Sequence, residues 1–336
     1  MPRNRNKSAE QKIQETLKKH LKGGETVLIG VSGGPDSVFL LHMLSQFKPK
    51  LNIIVAHVNH ALRGINADID TEFVKELSQK LEAEFHSTKI DIMALAKNKK
   101  RSVEETGRNI RYNFFKKLYK TKKASFVLTA HHADDNLETI LLNLVRGTGL
   151  KGLTGIEELS QSESGTPLLR PLLNITKNEI IDYLTKNHLT YRSDQTNKDI
   201  SIPRNFLRNT VIPELKTLNP SLTQTVQKNA QNLKKIQDHL DSIAEKHIKK
   251  ANISKKSEDL NLFDLKKIQA LSEVTQSSVL RLIYFKREGN TKNLEQVHID
   301  EVLSIINKNV GRKQKKLGKY TVEIKAGTLI MNPCRS

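Results

Sequence analysis

Short apolar runs alternate with segments of helical spacing over the first two thirds of the chain. The apolar runs predict strands at 26–31, 52–58, 85–90 and 125–130. The segments around them predict helices at 8–22, 37–47, 67–83, 103–122, 135–146 and 175–190. All but the third strand are apolar or β-branched throughout, which is typical of strands covered on both faces. Such alternation predicts an α/β fold with a doubly wound parallel sheet.

The pattern changes near Pro213 and Pro220. A long polar helix rich in lysine follows, and then a moderately helical stretch at 258–288. The tail 309–332 has the pattern of a basic loop and a β-hairpin, with strands YTVEI and TLIMN around the turn KAG. We therefore expect two parts: a first domain at 1–215 and a basic, mostly helical region with a terminal hairpin at 216–336.

The sharpest interruption of the apolar pattern is the loop SGGPDS between the first strand and its helix. The loop consists of Ser32, Gly33, Gly34, Pro35, Asp36 and Ser37. Because Gly33 and Gly34 lack a Cβ, an anion can reach the backbone N–H groups at the start of the helix. Pro35 stiffens the turn, and Ser37 is placed to begin the helix. Ligands of parallel sheets bind at this edge, so the loop predicts a phosphate site.

Asp36 modifies that prediction, because a phosphate repels a carboxylate unless a divalent cation lies between them. The loop also lacks the lysine of a GxxxxGK[ST] motif. We therefore predict a pyrophosphate site with Mg²⁺. The less favoured alternative is a turn that is glycine-rich for structural reasons alone.

The segment TAHHADDNLET, at the end of the fourth predicted strand, supplies further polar side chains. Asp135 and Glu138 have the spacing of a capping box, so Asp135 can simply cap a helix. Two histidines and two aspartates at the edge of a sheet nevertheless exceed what a cap needs. We predict that Asp36 and one of Asp134 and Asp135 form the Mg²⁺ site, and we choose Asp135.

The net charge of the chain predicts a macromolecular partner. The 336 residues include 56 Lys and Arg against 36 Asp and Glu, a net charge of +20, and the part after residue 215 is the more basic per residue. Such an excess is usual for proteins that meet a polyanion, although a basic solvated surface is the alternative. The single cysteine, Cys334, excludes an internal disulfide and a cysteine-rich zinc site. No apolar run reaches 18 residues and no signal peptide is seen, so we expect a cytoplasmic protein that spans no membrane.

Several stretches resemble a known enzyme family. The SGGPDS loop after a strand resembles the SGGxDS loop of the N-type ATP pyrophosphatases, or PP-loop enzymes, which cleave ATP between its α and β phosphates. Five further stretches resemble, in order, the tRNA(Ile)-lysidine synthetases within that superfamily: AHVNHALRG (56–64), ETGRNIRYNFF (105–115), TAHHADDNLETILLNLVRGTGLKGLTGI (129–156), RPLL (170–173) and SDQTNKDISIPRNFLRN (193–209). The resemblance covers about 25–215 and is weaker beyond it.

The resemblance implies a reaction and its participants. ATP adenylates the C2 oxygen of the wobble cytidine in a tRNA(Ile) with a CAU anticodon, and free L-lysine then displaces AMP to give lysidine. The modified tRNA recognises the codon AUA in place of AUG. The implied fold is the ATP-pyrophosphatase α/β fold, followed by a helical segment and a small basic C-terminal region. The sequence leaves the oligomeric state open, and a homodimer is one assembly it allows.

The resemblance also assigns roles to residues at matching positions. The catalytic residues are Asp36, Asp135 and Arg111, of which Asp36 and Asp135 hold the metal. The nucleotide-binding residues are the loop residues 32–37 with His57 and His131. The remaining arginines, which hold the tRNA backbone or the ATP phosphates, are Arg63, Arg108, Arg204 and Arg208. Arginine forks suit phosphate because they are planar, always charged and bidentate.

Three other functions fit parts of the sequence. A tRNA 2-thiolase shares the loop but generally works through cysteine pairs or an iron–sulfur cluster, and this chain has only Cys334. A metal-dependent hydrolase fits the histidines and aspartates but does not need a pyrophosphate cradle. A non-catalytic RNA-binding protein fits the charge, but the intact loop at 32–37 counts against it.

Overall fold

The computed structural model describes residues 7–61, 64–100, 102–162, 165–192, 200–254, 256, 259–291, 294–308 and 314–334. These residues form two compact units. The first comprises Met1–Gly147 and Thr154–Ala230, and the second comprises Thr148–Leu153 and Gln231–Ser336.

The helices and strands follow the alternation seen in the sequence. The helices are α1 (Ala9–His20), α2 (Pro35–Ser45), α3 (Ile65–Lys80), α4 (Ile92–Lys99), α5 (Val103–Thr121), α6 (Ala133–Arg146), α7 (Leu150–Leu153), α8 (Lys177–Lys186), α9 (Pro203–Phe206), α10 (Ile212–Leu218), α11 (Leu222–Ala251), α12 (Leu265–Gln269), α13 (Glu273–Glu288) and α14 (Gln296–Lys308). The strands are β1 (Thr26–Gly30), β2 (Asn52–Asn59), β3 (Glu84–Lys89), β4 (Phe126–Leu128), β5 (Leu159–Gln161), β6 (Pro167–Leu169), β7 (Leu262–Asp264), β8 (Gln314–Leu317), β9 (Tyr320–Lys325) and β10 (Thr328–Pro333). A π-helical turn, Leu207–Val211, joins α9 to α10.

The first unit is built on a six-stranded sheet of order β3-β2-β1-β4-β6-β5. All neighbouring strands are parallel except β5, which runs antiparallel to β6 at the edge. The central strand β1 is buried because α2 packs on one face and α5 on the other, as its apolar sequence requires. The doubly wound parallel α/β sheet is thus confirmed.

Helix α2, which follows the loop at 32–37, is held firmly in the first unit. Its residues are buried on nearly every side, because the helix lies between the sheet and the helices α1 and α8. Gly34 is its N-cap and Pro35 its first residue, so the expectation that Ser37 begins the helix is wrong. Proline fits the first position because its missing N–H is not needed there. Ser37 instead lies in the first turn, where its hydroxyl shapes the loop.

The second unit has a four-stranded antiparallel sheet of order β7-β10-β9-β8. The predicted hairpin is present as β9 and β10, and Ala326 and Gly327 between them both have positive φ. Helices α12, α13 and α14 and the end of α11 share an apolar core with this sheet. Across the described residues, every helix is too short or too polar to cross a bilayer.

Candidate active site

Nine of the predicted site residues line one cavity at the carboxyl edge of the parallel sheet. The cavity has a volume of about 550 Å³ and opens where β1, β2 and β4 end. The nine residues are Ser32, Asp36, Ser37, His57, Arg111, His131, Asp135, Arg204 and Arg208. A parallel sheet delivers its strand ends to one edge, so residues distant in sequence meet there.

The loop at 32–37 is held in shape by its own serines. Ser37 Oγ donates to the carbonyl of Gly34 at 2.9 Å and accepts from the N–H of Ser32 at 3.2 Å. Gly33 has φ +89°, a conformation that residues with a Cβ rarely adopt. The carbonyl of Gly33 accepts from the N–H of Arg192 at 2.9 Å, which fixes the outer side of the loop. The bend therefore presents the N-terminus of α2 to the cavity as a preformed anion site.

Asp36 and Asp135 flank one imidazole. His132 Nε2 lies 3.8 Å from Asp36 Oδ1 and 3.5 Å from Asp135 Oδ2. Asp36 Oδ1 is also 2.6 Å from Lys177 Nζ. The two carboxylates from different strand ends are thus neighbours, although the sequence separates them widely.

The two candidate aspartates of α6 differ in what they contact. Both carboxylate oxygens of Asp134 accept hydrogen bonds, from Lys177 N at 2.8 Å and from Lys216 Nζ and Thr223 Oγ1 at 3.1 and 2.9 Å. Asp134 thereby ties α6 to α8, α10 and α11. The oxygens of Asp135 also accept hydrogen bonds, from His132 N at 3.0 Å and from Arg208 Nη2 at 3.3 Å, but Asp135 lines the 550 Å³ cavity with Asp36. The choice of Asp135 stays a prediction, which its place in that cavity supports.

The expectation that Asp135 caps the helix, with Glu138 as its capping-box partner, is wrong, because α6 begins one turn earlier. His132 is the N-cap of α6, and Asp135 completes a capping box by accepting from the N–H of His132 at 3.0 Å. Burial alone would raise the pKa of Asp135, but the nearby rings of His132 and His131 and the Arg204 guanidinium lower it overall. The carboxylate is therefore ionised at neutral pH.

Glu138 joins the two arginines of the last motif. Its side chain is 2% exposed, and it accepts from Arg204 Nε at 2.8 Å and from Arg208 Nε at 2.6 Å. Arg208 Nη2 also donates to Asp135 Oδ1 at 3.3 Å. Both arginines thus line the cavity, with 33% and 36% of their side chains exposed.

Three histidines, which we call the histidine wall, line the cavity: His57 and His60 at the end of β2, and His131 beyond the end of β4. His57 is buried, with Nδ1 2.9 Å from the carbonyl of Val31. Burial, followed by the charges of Arg111 and His57, lowers the pKa of His60 to about 4. Burial is also the main cause that lowers the pKa of His131 to about 4. His60 and His131 are therefore uncharged at neutral pH.

The remaining predicted arginines are placed differently. Arg111 lines the cavity, whereas the guanidinium of Arg108 lies 5.0 Å from the centre of the Tyr112 ring. Tyr112 itself lines the cavity. Arg63 lies outside the described residues. Gly34 and Pro35 line a second cavity of about 680 Å³, on the other side of the loop.

Lys177 is the site residue that the sequence did not reveal. It is the first residue of α8, and its ammonium reaches Asp36 from 141 positions away. One signal was present: a lysine in the first turn of a helix opposes the helix dipole and so indicates an anionic partner. The capping box of Thr176 and Glu179 fixes the start of this helix.

Comparisons with known proteins agree with this geometry. The PP-loop domain family, ATP_bind_3, matches residues 5–215. The tRNA(Ile)-lysidine synthase of Clostridium tetani is 33% identical over 320 residues, which cover 92% of this chain and 67% of that protein. The enzyme of the same name from Chlorobaculum tepidum is 38% identical, with 71% and 73% covered, and that from Bacillus cereus is 34% identical, with 87% and 62% covered.

Solved structures support the fold alone. The U34-tRNA thiolase NcsA from Methanococcus maripaludis, which carries a [4Fe-4S] cluster, superimposes with a TM-score of 0.54. Its sequence is 19% identical, and the match covers 67% of this chain and 78% of the thiolase. The likeness supports the fold and leaves the reaction to be argued from the site.

Proposed function

We propose that this chain, which belongs to the tRNA(Ile)-lysidine synthase family and carries the PP-loop domain at residues 5–215, ligates free lysine to C2 of the wobble cytidine of CAU-anticodon tRNA(Ile). Membership of the PP-loop family implies that the chain binds ATP. The observation that carries the proposal is the meeting of the loop at 32–37 with Asp135 in one cavity. A binding protein without catalysis would not need that arrangement.

Two steps account for the chemistry. The cytosine C2 oxygen attacks the α phosphorus of ATP, and the bond from that phosphorus to the bridging oxygen breaks, releasing pyrophosphate. The ε-amine of lysine then attacks C2, and the C2–O bond breaks with loss of AMP. Adenylation is needed because the oxygen alone is a poor leaving group. The lysine ammonium must lose a proton before it attacks, since its reference pKa is about 10.4.

The residues of the cavity suit the first step. Amide groups at the start of α2 and the guanidinium of Arg111 stabilise negative charge on the phosphates, in positions that the fold fixes beforehand. His60 and His131 can contact the nucleoside. Because they are uncharged, they do not repel the arginines of the site. Arg204 and Arg208, held by Glu138, supply further positive charge at the cavity edge.

The donor set fits Mg²⁺. Asp36 and Asp135 offer hard carboxylate oxygens within 4 Å of the same nitrogen of His132. Mg²⁺ usually binds one or two protein carboxylates together with substrate phosphates. Asp36 and Asp135 would hold it, and it would supply neutralisation of charge on the phosphates. The part of the chain that the structure describes contains no group of three or more His, Cys, Asp or Glu placed to hold a metal.

The tRNA has a place in the proposal as well. The region 216–336 carries more excess positive charge per residue than the rest, so we assign backbone contacts with the tRNA to it. A homodimer and a cytoplasmic location stay predictions. Thiolation, the reaction named for the M. maripaludis protein, is the weaker candidate because Cys334 is the one cysteine in this sequence.

The test is direct. The protein is incubated with ATP, labelled lysine and bulk tRNA, and the tRNA is digested to nucleosides. We expect label in a cytidine derivative with the mass of lysidine, accompanied by equal amounts of AMP and pyrophosphate. ATP-dependent modification of another nucleoside, or of none, would refute the proposal.

A further inference from the structure

Lys177 has no role in the reaction as derived above, yet its ammonium lies against the acid of the loop. Nζ is 2.6 Å from Asp36 Oδ1, and the two side chains are 37% and 28% exposed. A salt bridge of this exposure contributes little to stability. Its position, at the one carboxylate of the phosphate loop, indicates a functional use instead.

The backbone of Lys177 is anchored independently of its ammonium. Its N–H donates to Asp134 Oδ2 at 2.8 Å, and the capping box of Thr176 and Glu179 secures the same turn. The Cα is therefore fixed, while the four-carbon side chain can change rotamer without disturbing α8. When the side chain of Lys177 turns away from Asp36, one partly exposed ion pair is lost.

The space into which Lys177 can turn is the cavity of about 680 Å³ beyond the loop. Gly34, Pro35 and Asp36 form its wall on the loop side. Ser32 and Asp36 line both this cavity and the 550 Å³ cavity with the histidine wall, so a triphosphate crossing the loop would extend from one into the other. Lysines and arginines gather in the second cavity: Lys177, Arg192, Arg208 and Lys216.

The other three cations are already held by carboxylates. Arg192 Nε donates to Asp70 at 2.8 Å, and Lys216 Nζ donates to Asp134 at 3.1 Å. Arg208 donates to Glu138 and Asp135. Lys177 differs because its partner, Asp36, is the carboxylate of the loop itself and a predicted ligand of a divalent cation. A cation bound at Asp36 competes with the ammonium for the same oxygen, since like charges repel at such distances.

We propose that Lys177 is the counter-ion of Asp36 while the site is free of nucleotide, and that it turns to the departing pyrophosphate once a divalent cation is bound at Asp36. Lys177 stays an ammonium throughout and donates hydrogen bonds to pyrophosphate oxygens, with no proton transferred. It thereby supplies, from α8, the lysine that the SGGPDS loop lacks. The inference rests on the proposed adenylation of tRNA.

The proposal predicts opposite changes in two affinities. In Lys177→Met, Asp36 loses its competitor, so we expect Mn²⁺ to bind the nucleotide-free protein at least threefold more tightly by electron paramagnetic resonance. The same variant loses a charged donor, so we expect inorganic pyrophosphate with Mg²⁺ to bind about tenfold more weakly by calorimetry. Lys177→Arg should bring the pyrophosphate affinity back to within about threefold of wild type.

Lys216→Met is the matched control, because Lys216 lines the same cavity with similar exposure but pairs with Asp134. We expect neither affinity to change by more than about twofold. If Lys177→Met leaves Mn²⁺ binding unchanged, or weakens both affinities together as structural damage would, the proposal is wrong. Absence of lysidine formation by the wild-type protein would instead refute the proposed function, and both binding measurements need no turnover.

Discussion

The two units of the molecule differ in how many polar side chains they bury. Of the buried polar and charged side chains among the described residues, all but Gln276 belong to the first unit. The second unit has an interior of aliphatic and aromatic residues around α13, α14 and the antiparallel sheet. Gln276 there is structural, since its amide nitrogen donates to the carbonyls of Ile268 and Leu271.

This difference in burial indicates which unit contains the reactive site. Burying a polar group is unfavourable unless hydrogen bonds replace those lost to water, so a fold keeps such groups inside for a reason. The first unit buries Glu138, His57 and His132 around its cavity. In the second unit charged side chains lie at the surface. Lys246 and Lys249, for example, are exposed on α11. The buried polar groups of the candidate site and the surface that we propose for the tRNA backbone thus belong to different units.

The largest expected effect comes from removing the acid of the loop. In Asp36→Ala, ATP–pyrophosphate exchange that depends on tRNA should fall by about a thousandfold or more, because the variant lacks the carboxylate beside the phosphates. Binding of tRNA should stay within about twofold, because Asp36 lies in the first unit's cavity. Filter binding and exchange assays measure the two. Asp182→Ala, on the exposed face of α8, is the control, and normal exchange in Asp36→Ala would contradict the assigned role.

The second effect compares a buried carboxylate of the first unit with a partly exposed one of the second. Glu138 is 2% exposed and holds two arginines, whereas Glu288 is 15% exposed and accepts from Lys319 and Tyr320. Glu138→Ala leaves the Nε groups of two guanidiniums without their acceptor, and we expect a loss of about 3 kcal/mol in the free energy of unfolding. For Glu288→Ala we expect about 1 kcal/mol. Urea unfolding measures both, and equal losses would remove the contrast between the interiors.

The third effect tests the surface of the second unit. Lys246, Lys249 and Lys250 are exposed near the end of α11. If they contact tRNA phosphates, replacing all three by glutamine should reduce the slope of log K against log salt by about 2. Binding at moderate salt should weaken about tenfold.

The control for this test is an equal change in the first unit. Lys97, Lys99 and Lys120 are exposed lysines there, on α4 and α5. Their replacement by glutamine lowers the net charge by the same amount. A larger loss of tRNA affinity and salt slope in this control variant would reverse the assignment of the polyanion surface.

The sequence predicts the first unit well because its signals are local. Parallel strands buried on both faces leave continuous apolar runs, and the loop at 32–37 is contiguous. The short strands β5 and β6 escaped prediction because three residues are too few to show a period. Helix α14 also went unpredicted, although Ile299, Val302 and Ile306 have helical spacing and are buried.

Nine residues of the candidate cavity could be predicted from the sequence, but Lys177 and the pairing of the charges could not. Glu138 lies 66 and 70 positions from Arg204 and Arg208, so only the fold brings these charges together. Lys177 and Asp36 are farther apart still. Residue type and strand order indicate which side chains reach the edge of the sheet. Which of them form ion pairs depends on the positions of the loops and helices at that edge, and the sequence does not show these positions.

The smallest expected effect concerns the pH dependence of the first unit. The pKa of His60 is lowered to about 4, first by burial and then by the charges of Arg111 and His57, and its Nδ1 is buried without a hydrogen-bond partner among the described residues. An unfolded histidine has a pKa near 6.5, so between these values the unfolded chain binds a proton that the native protein does not. Native stability therefore falls as pH falls below about 6.5. Between pH 7 and 5.5 this contribution is about 1 kcal/mol, and His60→Asn should remove it.

Urea unfolding of the full chain at pH 7 and pH 5.5 measures that contribution. The exposed His188 has a positive φ that asparagine tolerates, so His188→Asn is a matched replacement, and we expect it to keep the wild-type pH dependence. If His60→Asn loses as much stability on acidification as the wild type, the imidazole of His60 is not held neutral by its surroundings. The histidine wall would then carry positive charge below pH 6.5 and lose its advantage as a surface for an uncharged base.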